Sequence, residues 1–196
     1  MTISEKRFGN KLTAGPVAIG IDQSLTGFAV TVLNVDDPES FETRVYKSEF
    51  RGVKRLADIR YWLASLLQDT ITAGNQIVDV AMEGTVLASH SALVLGELAA
   101  TVKLTMWDVF EDSQSEHCRA PLQIPPMTLK KYASGKGNAK KQEMLMQIYK
   151  RYGVEFNDDN AADSYGLARL AAGIHIDAVE KAIVEQVKDL KYRDTL

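Results

Sequence analysis

Residues 17–30 read VAIGIDQSLTGFAV and set a single carboxylate, Asp22, inside an apolar run. An ionised carboxylate buried without a partner is costly. The flanking residues say where it stands. Val17, Ile19 and Ile21 are β-branched, and Phe28, Val30 and Val32 alternate. That pattern predicts two strands over 16–34 joined by a turn near Ser24–Gly27. Asp22 then lies at a strand end, where an aspartate either shapes a turn or holds a ligand.

Outward from this hairpin, FETRVYKSEF (41–50) reads as a third alternating strand. VKRLADIRYWLASLLQDT (53–70) repeats Leu56, Ile59, Leu63 and Leu66 or Leu67 at helical spacing. QIVDVAMEG (76–84) is a short apolar strand ending at Glu83. A long helix is expected from Ser89 to Val109, with Leu95, Ala99, Val102 and Met106 on one face. CRAPLQIPP (118–126) gives a fifth strand, closed by prolines. Two short helices flank a GKG break, and a last core helix starts near Asn160. The expected architecture is α/β: a five-stranded mixed sheet, three antiparallel strands followed by parallel ones, flanked by helices. Residues 1–15 read as a flexible tail, 16–174 as one domain, and 175–196 as a surface helix and tail.

The chain has 196 residues, 45% hydrophobic and 25% charged, which suits one globular domain. No apolar run is long enough to span a bilayer, and the N-terminus lacks the apolar centre of a signal peptide. The single cysteine, Cys118, excludes an internal disulfide, suits a cytoplasmic setting and reads as packing. The net charge is −3, yet charge is uneven. Between Met127 and Arg151, Lys130, Lys131, Lys136, Lys140, Lys141, Lys150 and Arg151 face one acid, Glu143.

Glu83 ends its strand as Asp22 does. If the two strands are neighbours, both carboxylates meet at one sheet end. On a helix from residue 160, Asn160, Asp163, Leu167, Leu170 and Ile174 share a face. Asp163 then points at the same end, and Asp159, four residues earlier, reaches that side. Such oxygen-rich clusters suit Mg2+ or Mn2+. Each residue also has a plainer reading: a turn former for Asp22, a strand end for Glu83, and a helix cap or first-turn acid within NDDNAAD.

Together these pieces resemble the RuvC-type Holliday junction resolvases of the RNase H-like nuclease superfamily, in a form often seen in phages. GIDQSLTGFAV is similar to the family's opening strand–turn–strand, with Gln23 and Ser24 where cellular members have Pro-Gly. MEGTVLASHSALVLGELAATV resembles the catalytic Glu and the following helix, with Ser91 to Gly96 matching well. LKKYASGKGNAKKQEM resembles the Gly-x-Gly-x-Ala segment with flanking lysines, and DDNAADSYGLA the closing acidic helix. The four pieces span residues 17–172. Asn160 replaces the family's usual Asp or His, and Val86 stands where the family places an aromatic wedge.

The resemblance implies a Mg2+-dependent endonuclease, with Mn2+ able to substitute. It would cut four-way DNA junctions by paired symmetric nicks that leave 5′-phosphate and 3′-hydroxyl ends. Asp22 would bridge two ions roughly 4 Å apart, with Glu83 on one and Asp163 on the other. Asp159 or Asn160 would complete the set, and Lys130 and Lys141 match the family's functional lysines. Lys131, Lys136 and Lys140 would extend a phosphate track, aided by close backbone approach at Gly135 and Gly137. Tyr132 is read either as a base-stacking residue or as packing. The near two-fold symmetry of a junction suggests a homodimer, with Ala92, Gly96, Ala99 and Ala100 as its contact face. The rival readings are a nuclease for flaps or other branched DNA, a non-catalytic binder of branched DNA, and a sugar-kinase-like ATPase. His90, His117 and His175 form no pattern.

Overall fold

Strand β2 (Pro16–Asp22) is buried along nearly its whole length and sits inside a six-stranded sheet. The computed structural model describes residues 4–84, 92–110, 118 and 120–193. The other strands are β1 (Ser4–Gly9), β3 (Phe28–Asn34), β4 (Phe41–Lys47), β5 (Gln76–Glu83) and β6 (Leu122–Ile124). The helices are α1 (Gly52–Thr72), α2 (Ala92–Val109), α3 (Pro126–Ser134), α4 (Lys141–Tyr152), α5 (Asp159–Ala171) and α6 (Ala178–Val187). The sheet order is β1-β4-β3-β2-β5-β6. β1 to β4 pair antiparallel, while β2, β5 and β6 run parallel. The position expected for the helix start at Ser89, together with Val86, His90 and His117, lies outside the described residues. No described helix is long and apolar enough to cross a membrane.

Both faces of the sheet are covered, which is why β2, β3 and β5 read as near-continuous apolar runs. On one face, α1 and α2 pack Ile59, Leu63, Leu67, Leu98, Val102 and Met106 against Ile19, Ile21, Val30 and Val80. On the other, α5 lies against Ala29, Leu33 and Ala81 beneath α3, α4 and α6. Cys118 is buried and donates its Sγ–H to the Ile77 carbonyl at 3.3 Å, a packing role as expected.

The sheet has six strands, not five. The extra one is β1, within the segment expected to be a tail. Its residues are mostly polar, so no apolar run marked it. Phe8 packs edge-on against Phe156, with ring centroids 5.5 Å apart. Glu5 accepts a hydrogen bond from Trp62 Nε1 at 2.8 Å on the α1 side. Charged side chains suit an edge strand, because they discourage pairing with another chain. The C-terminal segment also departs from a simple surface helix: Ile183, Val184 and Val187 of α6 are buried. Fully buried Glu180 accepts from Tyr152 Oη and from the Ile176 N–H, each at 2.8 Å, and pairs with Arg151.

Gly20 sets how close α5 comes to the sheet. A Cβ there would lie 2.0 Å from the Ser164 carbonyl oxygen and 2.3 Å from the Ala168 nitrogen, so no side chain fits. Ser164 Oγ reaches Thr31 Oγ1 at 2.9 Å, and Thr31 Oγ1 reaches Thr43 Oγ1 at 2.7 Å. This buried hydroxyl chain fixes α5 over β3 and β4. Gly20→Ala is expected to destabilise the protein by about 3 kcal/mol, the upper end of ordinary overpacking, because both obstacles are backbone. The midpoint of urea unfolding measures it.

Candidate active site

The parallel pairing of β2 and β5 brings two acids together. Ile21 lies opposite Met82, so the next residues, Asp22 and Glu83, end their strands side by side. Asp163, in the second turn of α5, faces the same end. The three carboxylates line one cleft of about 470 Å³, with Gln23, Ser24, Lys130, Lys141, Asp159 and Asn160 on its wall. The sequence-based juxtaposition of Asp22, Glu83 and Asp163 is therefore observed, and Asp159 and Asn160 join it.

Burial and like charge shape the electrostatics. Asp22 is only 4% exposed, and its carboxyl is held well above the usual range. Desolvation is the main cause, followed by repulsion from Glu83 and Asp163. Asp22 and Glu83 interact closely enough that the two carboxyls titrate as a pair. The Glu83 carboxyl is also raised by burial, although Lys130 and Lys141 oppose the shift. Asp163 is pushed up to about 7 by burial and then by Glu83 and Asp159.

The acids before α5 divide their work. Asp158 is the helix cap, accepting from the N–H groups of Asn160 and Ala161. It also pairs with Lys6 of β1 at 2.9 Å. Asp159 forms an ion pair with Lys141, whose ammonium is held above its ordinary value chiefly by that hydrogen bond. Asn160 lies against Gly27, where its Nδ2 would be 2.5 Å from an added Cβ.

The lysines separate as well. Lys130 and Lys141 line the cleft, while Lys131, Lys136 and Lys140 do not. Lys136 pairs with Glu143 at 3.1 Å. Arg151 turns away to Asp177 and Glu180, which removes it from any phosphate track. Gly135, at φ 77°, is the left-handed cap that ends α3. Tyr132 is fully buried and donates its hydroxyl to the Ile174 carbonyl at 2.6 Å, so it packs and does not stack on a base. Gln23, for which the sequence pattern predicts no role, is also part of the cleft wall.

An all-oxygen, anionic donor set suits Mg2+ or Mn2+. Among the described residues, no three His, Cys, Asp or Glu side chains are already gathered into a ligand shell for one ion. Asp159 is paired with Lys141. Burial makes the ionised form of these carboxyls costly, and a bound cation would offset that cost. By their donor chemistry and their shared cleft the residues suit such an ion.

No family model matches the sequence, and no curated protein sequence matches it. Solved structures do. A Thermus thermophilus RuvC structure superposes with a TM-score of 0.59 at 17% identity, covering 92% of this chain and 99% of that one. T. thermophilus RuvC in complex with Holliday junction substrate gives 0.60 at 16% identity, with the same coverage. The chain has the RuvC fold.

A carboxyl that keeps its proton in the folded state but loses it in the unfolded chain makes the fold bind more protons. Stability then falls as pH rises from about 4, where the unfolded acid titrates, to about 7, where folded Asp163 does. Asp163→Asn is expected to raise the stability of metal-free protein at pH 8 by on the order of 2 kcal/mol. The gain should vanish near pH 4. Denaturant melts at the two pH values in a chelator measure both.

Proposed function

We propose that the protein is a Mg2+-dependent endonuclease that cuts branched DNA, with the four-way junction as its substrate. The observation that carries this reading is the meeting of Asp22, Glu83 and Asp163 in one cleft, with Lys130 and Lys141 on its wall. Asp22, Glu83 and Asp163, with Asp159 or Asn160, would hold the ions. When bound, those ions supply the Lewis acidity that generates a nucleophilic water and neutralises the leaving 3′ oxygen.

The chain's own residues set the rest. Burial on β2 and β5 holds the Asp22 and Glu83 carboxyls at one sheet end before substrate arrives. Lys130 and Lys141 offset their repulsion and present positive charge to a phosphodiester. Because it is bonded to Asp159, the Lys141 ammonium stays protonated and aimed at the cleft rim. The RuvC neighbour bound to Holliday junction substrate supports the same class of DNA here. The Gln23–Ser24 departure fits a phage-like branch of the family. A nuclease for flaps or other branched intermediates is the alternative, because fold does not fix substrate.

A junction presents two equivalent strands, so two copies of the chain suit it. Helix α2 offers the face for pairing. Leu93 and Leu104 are 81% and 60% exposed, with Gly96 and Ala100 between them and no atom near a Cβ at Gly96. Ala99, expected in that face, instead turns into the core. Leu104→Glu should give a monomer by light scattering and single nicks in place of paired ones.

Labelled four-way junction, duplex, flap and RNA–DNA hybrid, incubated with and without Mg2+, test the activity. Paired nicks confined to the junction and dependent on metal are expected. Asp22→Asn should lower cutting at least about 1,000-fold while junction binding in Ca2+ persists. Uncut junction with wild-type protein in Mg2+ leaves only a binder, and normal cutting by Asp22→Asn removes the assigned site. Lys141→Ala should lower the slope of log affinity against log salt by about one unit.

A further inference from the structure

Gln23 follows Asp22 directly and lines the same cleft, yet it is only 5% exposed. Its Nε2 donates to the backbone carbonyl of Glu83 at 2.6 Å. That bond fixes which way the amide faces, since the opposite rotamer would set oxygen against oxygen. It also extends the tie between β2 and β5 beyond their last ladder pair, at the level of the two carboxylates. The other end of the amide is left over. Gln23 Oε1 is shielded from solvent and, among the described residues, accepts no hydrogen bond. A buried amide oxygen without a donor is uncommon in native proteins and asks for an explanation.

The chemistry of the missing donor is narrow. With a cation bound, the neighbouring carboxyls are ionised and can only accept. Water on a divalent cation is the opposite: its lone pair is committed to the ion, and its hydrogens point outward. Such a water needs an acceptor that is not itself gripping the metal. Outer partners of this kind orient the ligand shell and tune affinity.

Resting on the metal reading above, we propose that Gln23 is a positioning residue for the cation. Its Nε2 holds the Glu83 backbone beside Asp22, and its Oε1 accepts a hydrogen bond from a water on the Mg2+ or Mn2+ ion. It does not enter the ion's own coordination shell.

The test is Mn2+ binding to the full-length, chelator-stripped protein, read by calorimetry and by the loss of the free-ion paramagnetic resonance signal, with no DNA present. Wild type should bind. Gln23→Met keeps the shape and removes both polar atoms, so its affinity should fall about ten-fold. Gln23→Glu loses the donor but keeps an acceptor, so it should bind at least as tightly as wild type. A role confined to tying the strands would weaken binding in both variants, because both lose Nε2. Weakening in both, or a change in neither, overturns the proposal. Near-UV dichroism reports folding; should Gln23→Met not fold, weaker binding by Gln23→Glu alone overturns it. Failure of wild type to take up Mn2+ overturns the metal reading itself, a distinct outcome.

Discussion

Helix α5 lies so close to β2 that a methyl group at position 20 would sit 2.0 Å from the Ser164 carbonyl oxygen. That contact sets the distance between the helix carrying Asp163 and the strand carrying Asp22. Were the helix to sit higher, as a side chain at Gly20 would require, Asp163 would lift away from the sheet end. The hydroxyl chain from Ser164 through Thr31 to Thr43 fixes the helix laterally. The Asp158 cap and its pairing with Lys6 fix the end of the helix from which Asp163 projects. Parallel pairing of β2 with β5 does the same for Asp22 and Glu83. The cleft is thus a consequence of backbone packing, and its side chains have little freedom to avoid one another.

That lack of freedom is costly to the metal-free protein. Three acids are held where burial favours their neutral forms, and repulsion from neighbouring acids adds to it at Asp22 and Asp163. Nothing in the fold needs negative charge there, and a stability-driven sequence would place neutral groups at these positions. Strain of this kind, kept in place by the surrounding packing, is characteristic of functional sites. It supports reading the cluster as a site more strongly than any one residue does.

Much of this was legible in the sequence, for physical reasons. Strands buried on both faces announce themselves as apolar runs, so β2, β3 and β5 were clear, and the acids ending β2 and β5 stood out against them. The 3.6-residue period placed Asp163 on the sheet side of α5. What escaped was structure held by polar groups. β1 depends on backbone pairing with β4, one phenylalanine and a few ionic contacts, none of which alters hydropathy. The basic cluster was visible as composition, but only geometry separates Lys130 and Lys141 at the cleft from Arg151, committed to Glu180. Tyr132 could not be assigned from sequence, because stacking and packing use the same ring. Gln23 was passed over since glutamine carries no periodic signal, and its position matters only through a backbone carbonyl sixty residues away.

The run Asp158-Asp159-Asn160 shows how a helix start can serve several needs in few residues. Asp158, still outside the helix, turns its carboxylate back to cap the free N–H groups. The next two residues diverge by about 100° each. Asp159 therefore reaches Lys141, while Asn160 reaches the hairpin at Gly27. Both Asp159 and Asn160 precede Asp163 by one turn, the spacing at which side chains interact. A carboxylate at 160 would add another anion beside Asp163, which already holds its proton up to about pH 7. An amide there keeps an oxygen donor on the cleft wall without that repulsion. Asp159 adds charge as well, but the Lys141 ammonium balances it. The neutral residue at 160 is thus what the local electrostatics favour, and it leaves the acidic group no more strained than its burial already makes it.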